Sequence, residues 1–430
     1  MKEVERYMIK LSVYIEIEGK QRLVGYITGD SYIDSCFEYK ESYLDSEYSM
    51  PISISLPLKK DAFSADVTRI FFEGLLPEGF SRKAVANWIK TDENDYITIL
   101  SVLGRECIGA IKVVSDENST EYDTYEKLDM DQVKALAKEG ATKSTQILME
   151  THLSLTGASG KVGLYYDAKN KDWYLPKGDA PSTHIIKQSH IRLNDIVINE
   201  QLCMLTAKNL SLDVPKSFII NTGSDTDELL YATERYDRTF IQNKKANNLK
   251  VPNRLHQEDF AQAMAIPSKD KYEKSDEGYL KRIFNLIRNN CSDPITDQNK
   301  LWQMICFNYL IGNTDCHIKN LSLLYDDKLR KIKLAPAYDI VSTRVYGLTK
   351  DMSFFIGGEV DIDKINRENF IIAAKDIGFT KKNAMNIFDN LADLFENAIN
   401  NAANELIDSG FKSAGKLKEK ILLTGGYANI

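Results

Sequence analysis

Cysteine is sparse in this chain of 430 residues, and the few that occur are too dispersed to build a small site. No pair has the C-x-x-C spacing, and the positions are Cys36, Cys107, Cys203, Cys291, Cys306 and Cys316. Disulfide frameworks and structural zinc sites both need tighter groups of cysteines, so the pattern argues against them. We expect most of these thiols to be buried as small apolar side chains in a reducing compartment.

Long apolar runs are absent as well. No stretch approaches the roughly 18 consecutive apolar residues that indicate a transmembrane helix. The opening sequence, MKEVERYMIKLSVYIEIEGK, carries charges throughout and lacks the apolar core and the small-residue cleavage site of a secretory signal. We therefore expect no membrane segment and a cytoplasmic location.

Positive charge is in the minority. The chain has 55 lysines and arginines against 62 aspartates and glutamates, which gives a formal net charge of −7. This balance argues against direct, non-specific binding of DNA or RNA, although a basic partner could still bring the chain to nucleic acid. Hydrophobic residues make up 43% of the sequence, an ordinary share for a globular protein with a sizeable core.

The remaining patterns predict an α+β fold. Alternating apolar and polar residues in KLSVYIEIEG indicate a half-buried strand, and KVGLYYD and DWYLPK, on either side of a polar turn, indicate a hairpin. Beyond Arg238 the polar segment IQNKKANNLKVPN indicates a loop, and after it the spacing of apolar residues becomes helical. The predicted domains are a mixed N-terminal subdomain (1–118), a linker (119–148), a β-rich lobe (149–240) and a helical lobe (241–430).

The densest group of polar residues is GNTDCHIKN, which follows a long helical pattern. A helix cap with an Asx-turn would explain its Gly-Asn start, but not the polar residues that follow, which are Asp315, His317, Lys319 and Asn320. Kinase catalytic loops place an aspartate five residues before an asparagine, which is the spacing of Asp315 and Asn320. The carboxylate would orient an attacking hydroxyl, and the amide oxygen would help to hold a divalent ion.

Asp339, in KIKLAPAYDIVS, is the candidate for a second metal-binding carboxylate, because magnesium prefers hard oxygen ligands. It follows a short predicted strand, as the D-F-G aspartate of protein kinases does. A Tyr-Asp pair after a strand is more often an ordinary turn. The assignment therefore depends on the position of Asp339, nineteen residues after Asn320.

Candidate phosphate-binding residues precede this region. Lys187 lies in the apolar strand THIIKQS, where it could hold ATP phosphates or, alternatively, extend to water from an edge strand. Glu200, on the next helix, could pair with it. The segment SLTGASGK is not a Walker A motif, because Leu155 and Val162 stand where that motif needs glycine and a hydroxyl residue. A loop of this composition suits a cover over phosphates. ERYDR reads as a charged strand end.

These segments, in this order, resemble the HipA family of bacterial serine/threonine kinases, which act as toxins of type II toxin–antitoxin modules. The segments that resemble its N-terminal module are ISISLPL, FFEGLLPEG and LSVLGRECIGAI. Those that resemble its kinase core are SLTGASGK, THIIKQS, NEQLCMLTAKNL, ERYDR, RLHQEDFAQAM, FNYLIGNTDCHIKN and APAYDIVS. The resemblance covers nearly the whole chain. It implies a protein-kinase-like core with a β-rich N-lobe and a helical C-lobe, preceded by a mixed α/β subdomain.

The resemblance also implies roles for individual residues. Asp315 would be the catalytic base, and Asn320 and Asp339 would bind magnesium. The implied ATP-binding residues are Lys161, Lys187, Glu234, Tyr236, Gly157 and Ser159, of which Glu234 and Tyr236 correspond to the adenine-binding hinge. The implied supporting residues are His317, Lys319 and Glu200. Ser154 corresponds to a loop serine whose autophosphorylation switches the kinase off, and Thr156 is a second hydroxyl that could share that role.

The family further implies ATP and Mg²⁺ as cofactors and a HipB-like helix-turn-helix antitoxin as a partner, with DNA reached only through that antitoxin. The implied substrate is a protein, such as the glutamyl member of the aminoacyl-tRNA synthetases. Two alternatives stay open, namely a small-molecule kinase of the same fold and an inactive co-repressor. The presence of the whole catalytic set argues against the second, and that set is Lys187, Asp315, Asn320 and Asp339.

Overall fold

The computed structural model describes residues 9–115, 123–151, 160–188, 193–223, 229–241 and 243–430. The chain forms two compact units, and each contains segments that are distant in sequence. The first unit consists of Met1–Gln188, Glu234–Ser268 and Leu324–Lys331. The second unit consists of Ser189–Thr233, Lys269–Leu323 and Ile332–Ile430. The domain boundaries drawn from the sequence stay a prediction.

Strands and helices alternate along the first part of the chain. The elements are β1 (Ile9–Ile17), β2 (Lys20–Gly29), β3 (Cys36–Tyr39), α1 (Glu41–Leu44), α2 (Ala65–Glu73), α3 (Gly79–Ile89), α4 (Tyr96–Leu103), β4 (Ile111–Val114), β5 (Thr124–Leu128), α5 (Met130–Thr151), β6 (Lys161–Asp167), β7 (Asp172–Lys177) and β8 (His184–Gln188).

The rest of the chain begins with one long helix and several short strands, and it becomes mainly helical after residue 279. The elements are α6 (Ile196–Asn209), β9 (Ser217–Asn221), β10 (Leu229–Glu234), β11 (Arg238–Thr239), β12 (Lys245–Ala246), β13 (Leu249–Lys250), β14 (Asn253–Arg254), β15 (Gln257–Asp259), α7 (Phe260–Ala263), α8 (Tyr279–Asn290), α9 (Pro294–Ile311), β16 (Ser322–Tyr325), β17 (Ile332–Leu334), β18 (Asp351–Ile356), β19 (Glu359–Asp361), α10 (Arg367–Asp376), α11 (Lys381–Asp408) and α12 (Ser413–Thr424). Short 3₁₀ turns occupy Ser268–Asp270, Ile318–Asn320, Arg344–Tyr346 and Gly426–Asn429.

The first unit contains an antiparallel sheet in the order β3-β2-β1-β4. Its strand β1 confirms the alternating pattern of the sequence, because every second side chain from Leu11 to Ile17 is buried on one face. Phe71 and Phe72 of α2 are also fully buried in this unit, and the Phe72 ring packs against Phe37 of β3. Glu16, which points to the opposite face of β1, is buried too, so this strand is covered on both sides and the expectation that it is half-buried is wrong.

A second antiparallel group in the first unit pairs β5 with β7, β7 with β6, and β6 with β8. The hairpin predicted from the sequence is confirmed as β6 and β7. The segment 119–148, which the sequence suggested as a linker, contains β5 and most of α5. Strand β5 is hard to recognise because only Tyr125 and Leu128 are buried, while its other residues are exposed and polar. The Tyr125 hydroxyl donates to the carbonyl of Pro181 at 3.0 Å.

The second unit is organised around α9, whose side chains are buried on nearly every face. Asp293 caps its first turn by accepting from the Thr296 backbone N–H, and Pro294 occupies its first position. Trp302 of α9 is fully buried, and its indole N–H donates to the carbonyl of Ala384 on α11 at 3.1 Å. These contacts fix the position of α9 and therefore the point at which the polar loop after it begins.

Two further expectations concern the whole sequence. Five of the six cysteines are buried and Cys36 is half-buried, all six as free thiols, which confirms their expected role as small core side chains. Within the described ranges, every helix is too short or too polar to span a lipid bilayer.

Candidate active site

The polar loop predicted to be catalytic begins where α9 ends. Gly312 ends the helix in the left-handed conformation, with φ of +71°. Its carbonyl accepts hydrogen bonds from the backbone N–H groups of Thr343 and Arg344, each at 3.1 Å. A β-carbon at this position would lie 2.9 Å from Cγ of Arg344. Glycine is therefore required both for the turn and for the close approach of the segment that follows Asp339.

The loop satisfies its own polar groups. The Asn313 side chain, which is buried, donates to Oδ1 of Asn308 at 2.7 Å and accepts from the Asp315 N–H at 3.1 Å. The Asp315 carbonyl accepts from the His317 N–H at 2.9 Å and from Nδ2 of Asn320 at 2.8 Å. These bonds hold the backbone of the loop, whereas the Asp315 side chain is exposed. The carboxylate is thus presented at the protein surface on a fixed support.

The same hydrogen bond orients Asn320. Because its NH₂ group donates to the Asp315 carbonyl, the amide oxygen is the atom that Asn320 presents on the other side. Asn320 is half-buried at the end of a 3₁₀ turn. Amide and carboxylate oxygens are suitable ligands for magnesium, so this orientation fits the predicted role.

Asp339 has an unusual backbone conformation, with φ of +58°, and its side chain is half-buried. Left-handed backbone is uncommon for non-glycine residues and tends to occur at functional positions. The preceding residue, Tyr338, donates through its hydroxyl to the carbonyl of Lys319 at 3.0 Å, and this hydroxyl also lies 2.6 Å from Oγ of Ser322. Asp339 is therefore tied to the end of the loop that carries Asn320.

The buried thiol of Cys316 lies close enough to Asp315 and Asp339 to be affected by the charge of both. Burial, together with the negative charges of Asp315 and Asp339, raises the pKa of Cys316 to about 12. Both carboxylates thus act on the same side chain of the loop. His317 and Lys319, the predicted supporting residues, are buried in this loop at 6% and 7% exposure. The structure brings the predicted catalytic and metal-binding residues of the second unit together.

The described residues contain no group of three or more His, Cys, Asp or Glu side chains that could hold a metal ion. Magnesium in phosphoryl-transfer sites does not need such a group, because it is bound by one or two protein oxygens together with phosphates and water. Asn320 and Asp339 are compatible with a site of this kind.

A residue that the sequence analysis missed supports the segment after Asp339. Asn199, fully buried on α6, donates to the carbonyl of Ser342 at 2.9 Å and accepts from the Ser342 N–H at 3.2 Å. The signal in the sequence is a run of three polar residues, Asn199 to Gln201, that interrupts the apolar residues of a helical stretch. Glu200, the neighbour of Asn199, is also buried. Glu200 belongs to the second unit and Lys187 to the first, and their proposed pairing stays a prediction.

Two predicted phosphate-binding residues of the first unit lie directly opposite each other. Lys161 of β6 pairs in register with Lys187 of β8, so both side chains emerge on the same face of neighbouring strands. Lys187 is 9% exposed, which does not fit the alternative of a lysine extended into water. Two lysines at such positions could both bind the oxygens of one polyphosphate. The predicted loop residues Ser154, Thr156, Gly157 and Ser159 lie outside the described residues.

The hinge predicted from ERYDR divides into two faces. Glu234 is exposed at the end of β10, while Tyr236 is half-buried and donates through its hydroxyl to Oε1 of Gln257. Strand β10 ends at Glu234, as the sequence predicted, but the charged side chains that follow it are buried. They belong to Arg235, Asp237 and Arg238.

These buried charges neutralise each other. Arg235 donates to both carboxylate oxygens of Asp237, at 3.0 and 2.8 Å, and Arg238 donates to Glu106 at 3.0 Å. The Gly109 N–H also donates to Asp237, at 2.9 Å. Burial would raise the pKa of Asp237, but the guanidinium groups of Arg235 and Arg238 outweigh burial and hold this pKa well below its usual value. The segment is therefore anchored by ion pairs with little exposure to water.

Comparison with known proteins gives consistent matches over the chain. The family descriptions "HipA N-terminal domain" and "HipA-like C-terminal domain" match residues 15–114 and 153–399. The putative kinase Y4mE of Sinorhizobium fredii is 30% identical over 400 residues, covering 90% of this chain and 92% of that protein. The serine/threonine-protein kinase toxin HipA of Shewanella oneidensis is 25% identical over 365 residues, covering 82% and 80%.

A solved structure gives the fold. It is the Shewanella oneidensis toxin–antitoxin system of HipA, HipB and its operator DNA, and its matching chain superposes with a TM-score of 0.79 at 22% identity. The match covers 95% of this chain and 96% of that chain. The likeness confirms the predicted fold class, which is α+β with a protein-kinase-like core.

Proposed function

The chain belongs to the HipA family, and on that premise we propose that it is a serine/threonine protein kinase that uses ATP and Mg²⁺. Family membership makes it a kinase-type phosphotransferase. The proposal adds the acceptor, a serine or threonine hydroxyl of a protein, and the roles of the residues. Transfer would form a bond between the acceptor oxygen and the γ-phosphorus, with ADP as the leaving group.

The observation that carries the proposal is the loop from Gly312 to Asn320. Its hydrogen bonds hold the backbone, expose the Asp315 carboxylate and turn the amide oxygen of Asn320 away from the Asp315 carbonyl. An exposed carboxylate on a fixed support can orient an acceptor hydroxyl and take its proton. Catalysis of phosphoryl transfer depends mainly on such positioning and on charge stabilisation.

The other roles follow from the family and from the geometry within each unit. Asn320 and Asp339 would hold Mg²⁺, which when bound neutralises charge on the phosphates. Lys187, with Lys161 opposite it, would hold phosphate oxygens of ATP. Glu234 and Tyr236 would contact the adenine. Lys319, His317 and Glu200 would support these groups.

Labelled ATP provides the decisive experiment. We expect the wild-type chain, incubated with γ-labelled ATP, Mg²⁺ and a cell lysate, to label itself or a lysate protein, and Asp315→Gln to reduce this by about 10²- to 10⁴-fold. Label on serine or threonine of a protein supports the proposal. Label only on small molecules favours a small-molecule kinase. Equal failure of wild type and variant would favour an inactive co-repressor.

The same reaction tests the proposed switch. We propose that Ser154, or Thr156 two residues later, receives the self-label, and that the added double negative charge repels the phosphates of ATP. Peptide mapping of the labelled chain should find the phosphate on this segment. A self-label confined to other residues contradicts the switch.

The proposed biological role is that of a toxin with an antitoxin partner. The family and the nature of the matched complex support a HipB-like helix-turn-helix partner that binds DNA. A net charge of −7 suits a chain that reaches DNA only through a basic partner. An aminoacyl-tRNA synthetase, such as the glutamyl enzyme, is the proposed substrate. Phosphoproteomics after controlled expression would identify the labelled hydroxyl, and an unrelated target would contradict this choice.

A further inference from the structure

Tyr272 contacts the candidate catalytic carboxylate directly. Its hydroxyl donates a hydrogen bond to Oδ1 of Asp315, within the second unit. The side chain is 42% exposed, and it lies in the segment between the 3₁₀ turn Ser268–Asp270 and helix α8. An exposed tyrosine needs no internal partner, because water can satisfy its hydroxyl. Satisfying the hydroxyl does not by itself require Asp315, so we look for a functional reason for this hydrogen bond.

The backbone beside Tyr272 is held firmly. The next residue, Glu273, is buried, and its N–H donates to the carbonyl of Ser353 on β18 at 2.9 Å. Its carboxylate accepts from the backbone N–H groups of Tyr279 at 3.0 Å and Phe355 at 2.9 Å. Hydrogen bonds to an ionised carboxylate are among the stronger ones. Tyr272 thus has a fixed point of attachment.

The catalytic loop is tied to the same strand. The Ser353 hydroxyl donates to the carbonyl of Thr314, the residue before Asp315, at 2.8 Å. The Tyr272 ring also packs edge-on against the His317 ring, with centroids 5.1 Å apart and an interplanar angle of 80°. Ser353 of strand β18 therefore holds the residue next to Tyr272 and the residue next to Asp315. The contact between them is built into the unit.

The chemistry of this contact matches that of an acceptor. A serine or threonine hydroxyl would present an O–H donor to Asp315, and the phenol presents the same donor in the resting chain. We propose that Tyr272 is a positioning residue that guards Asp315, holding the place of the acceptor hydroxyl until a protein substrate displaces it. This role rests on the proposed function, since only a kinase has an acceptor to admit.

The guard would suppress a side reaction. If water took the place beside Asp315, its oxygen would bond to the γ-phosphorus, the bond from that phosphorus to the oxygen bridging to the β-phosphate would break, and Asp315 would take the proton. ADP and phosphate would then form without an acceptor. Exclusion of water is a recognised means of preventing such losses, and the phenol keeps water from Oδ1 of Asp315 while leaving a polar donor on that atom. Tyr272 would therefore determine the preference for a protein hydroxyl over water.

The test compares Tyr272→Phe with Tyr279→Phe. Each variant removes one hydroxyl, but the hydroxyl of Tyr279, at the start of α8, donates to the carbonyl of Asp270, at 2.8 Å, and not to Asp315. Phenylalanine keeps the ring at both positions, including the ring of Tyr272→Phe against His317, so both variants should fold, which thermal denaturation checks. The measurements are ATP hydrolysis without acceptor, and KM and kcat for label transfer to dephosphorylated casein as a general serine/threonine acceptor.

We expect Tyr272→Phe to raise acceptor-free hydrolysis by about tenfold, the equilibrium value of one hydrogen bond to a charged group. KM for casein should fall while kcat is retained, and Tyr279→Phe should match the wild type. Unchanged hydrolysis overturns the guard role. A fall in kcat for both reactions overturns it too, since it would mean that Tyr272 only holds Asp315 in place. So does phosphate found on Tyr272, which would make it a substrate.

The two proposals fail in different ways. If wild type and Asp315→Gln show the same absence of ATP turnover with casein and with water, the proposed kinase function is overturned and the guard role with it. If wild type transfers label and Asp315→Gln does not, but Tyr272→Phe behaves like Tyr279→Phe, only the guard role is overturned.

Discussion

Two short charged segments, 234–238 in the first unit and 313–320 in the second, look alike in the sequence and differ in burial. In the first, the side chains of Arg235, Asp237 and Arg238 are at most 3% exposed and neutralise each other with Glu106. In the second, the loop uses backbone and amide groups to hold itself, and the Asp315 carboxylate is exposed. Buried charge of this kind serves the fold, while charge presented on a fixed support remains available for chemistry.

The buried network also joins parts of the first unit that the sequence suggested were separate. Glu106 and Gly109 come from the predicted N-terminal subdomain, whereas Asp237 and Arg238 come from the predicted β-rich lobe. Glu16 of β1 makes a further buried ion pair with Arg254, at 3.3 Å. Ion pairs this well shielded are costly to leave half-made, because a single charge would remain in a poorly solvated interior. We therefore expect the N-terminal segments and the lobe to unfold together.

The largest expected effect is the loss of one member of this network. Asp237→Ala leaves Arg235 and Arg238 without their shared carboxylate and should lower the free energy of unfolding by about 3–5 kcal/mol, measured by urea denaturation. The control is Lys60→Ala, at the exposed pair with Glu41, which should cost at most about 1 kcal/mol. If the two variants lost equal free energy of unfolding, burial would not determine how much these charged pairs contribute to stability.

A second buried carboxyl group of the first unit, that of Glu258, should change the folding stability with pH in the opposite direction from Asp237. Burial raises the pKa of Glu258 to about 7 from its usual 4.5, despite hydrogen bonds from Ser53, Tyr325 and the Ile54 N–H. The pKa of Glu258 is higher in the folded than in the unfolded state. Its contribution to the free energy of unfolding is therefore complete below pH 4.5 and is lost as pH rises through 7. For Asp237, whose pKa is lowered, stability is instead lost as pH falls.

Glu258→Gln tests this difference, because glutamine does not titrate. Between pH 5 and pH 8 the wild type should lose about 2–3 kcal/mol of unfolding free energy relative to the variant, measured by urea denaturation at each pH. Other titrating groups cancel in the comparison, since both proteins contain them. Parallel pH profiles would show that the carboxyl of Glu258 ionises in the folded state as it does in water.

The smallest expected effect concerns the strained backbone at Asp339. Asparagine tolerates left-handed backbone, whereas alanine should cost about 1 kcal/mol at φ of +58°. Asp339→Ala should therefore be less stable than Asp339→Asn in urea denaturation, while both lose Mg²⁺-dependent transfer. Asp315→Ala and Asp315→Asn serve as the matched pair, because Asp315 does not have a positive φ, so a difference between these two variants comes from side-chain contacts such as the bond from Tyr272 and not from backbone strain. Equal stabilities of the two Asp339 variants would show that the backbone at this residue is not strained.

Local patterns allowed much of the fold and part of the candidate site to be predicted. The alternation in β1, the hairpin of β6 and β7 and the spacing of Asp315 and Asn320 all lie within short windows, where periodicity and turn chemistry act. Strand β5 escaped recognition because it buries only two side chains. Tyr272 escaped because it lies 43 positions before its acceptor Asp315, a separation at which no local pattern exists.

The sequence by itself determined the family, the fold class and the polar loop after α9, because each is written in contiguous residues or in their order. Only the tertiary structure decided which charges are buried. Arg238 and Glu106 are 132 positions apart, and nothing in the neighbourhood of either indicates that they meet out of water. Charge is a property of the residue, but the solvation that makes charge structural or reactive depends on every segment that folds over it.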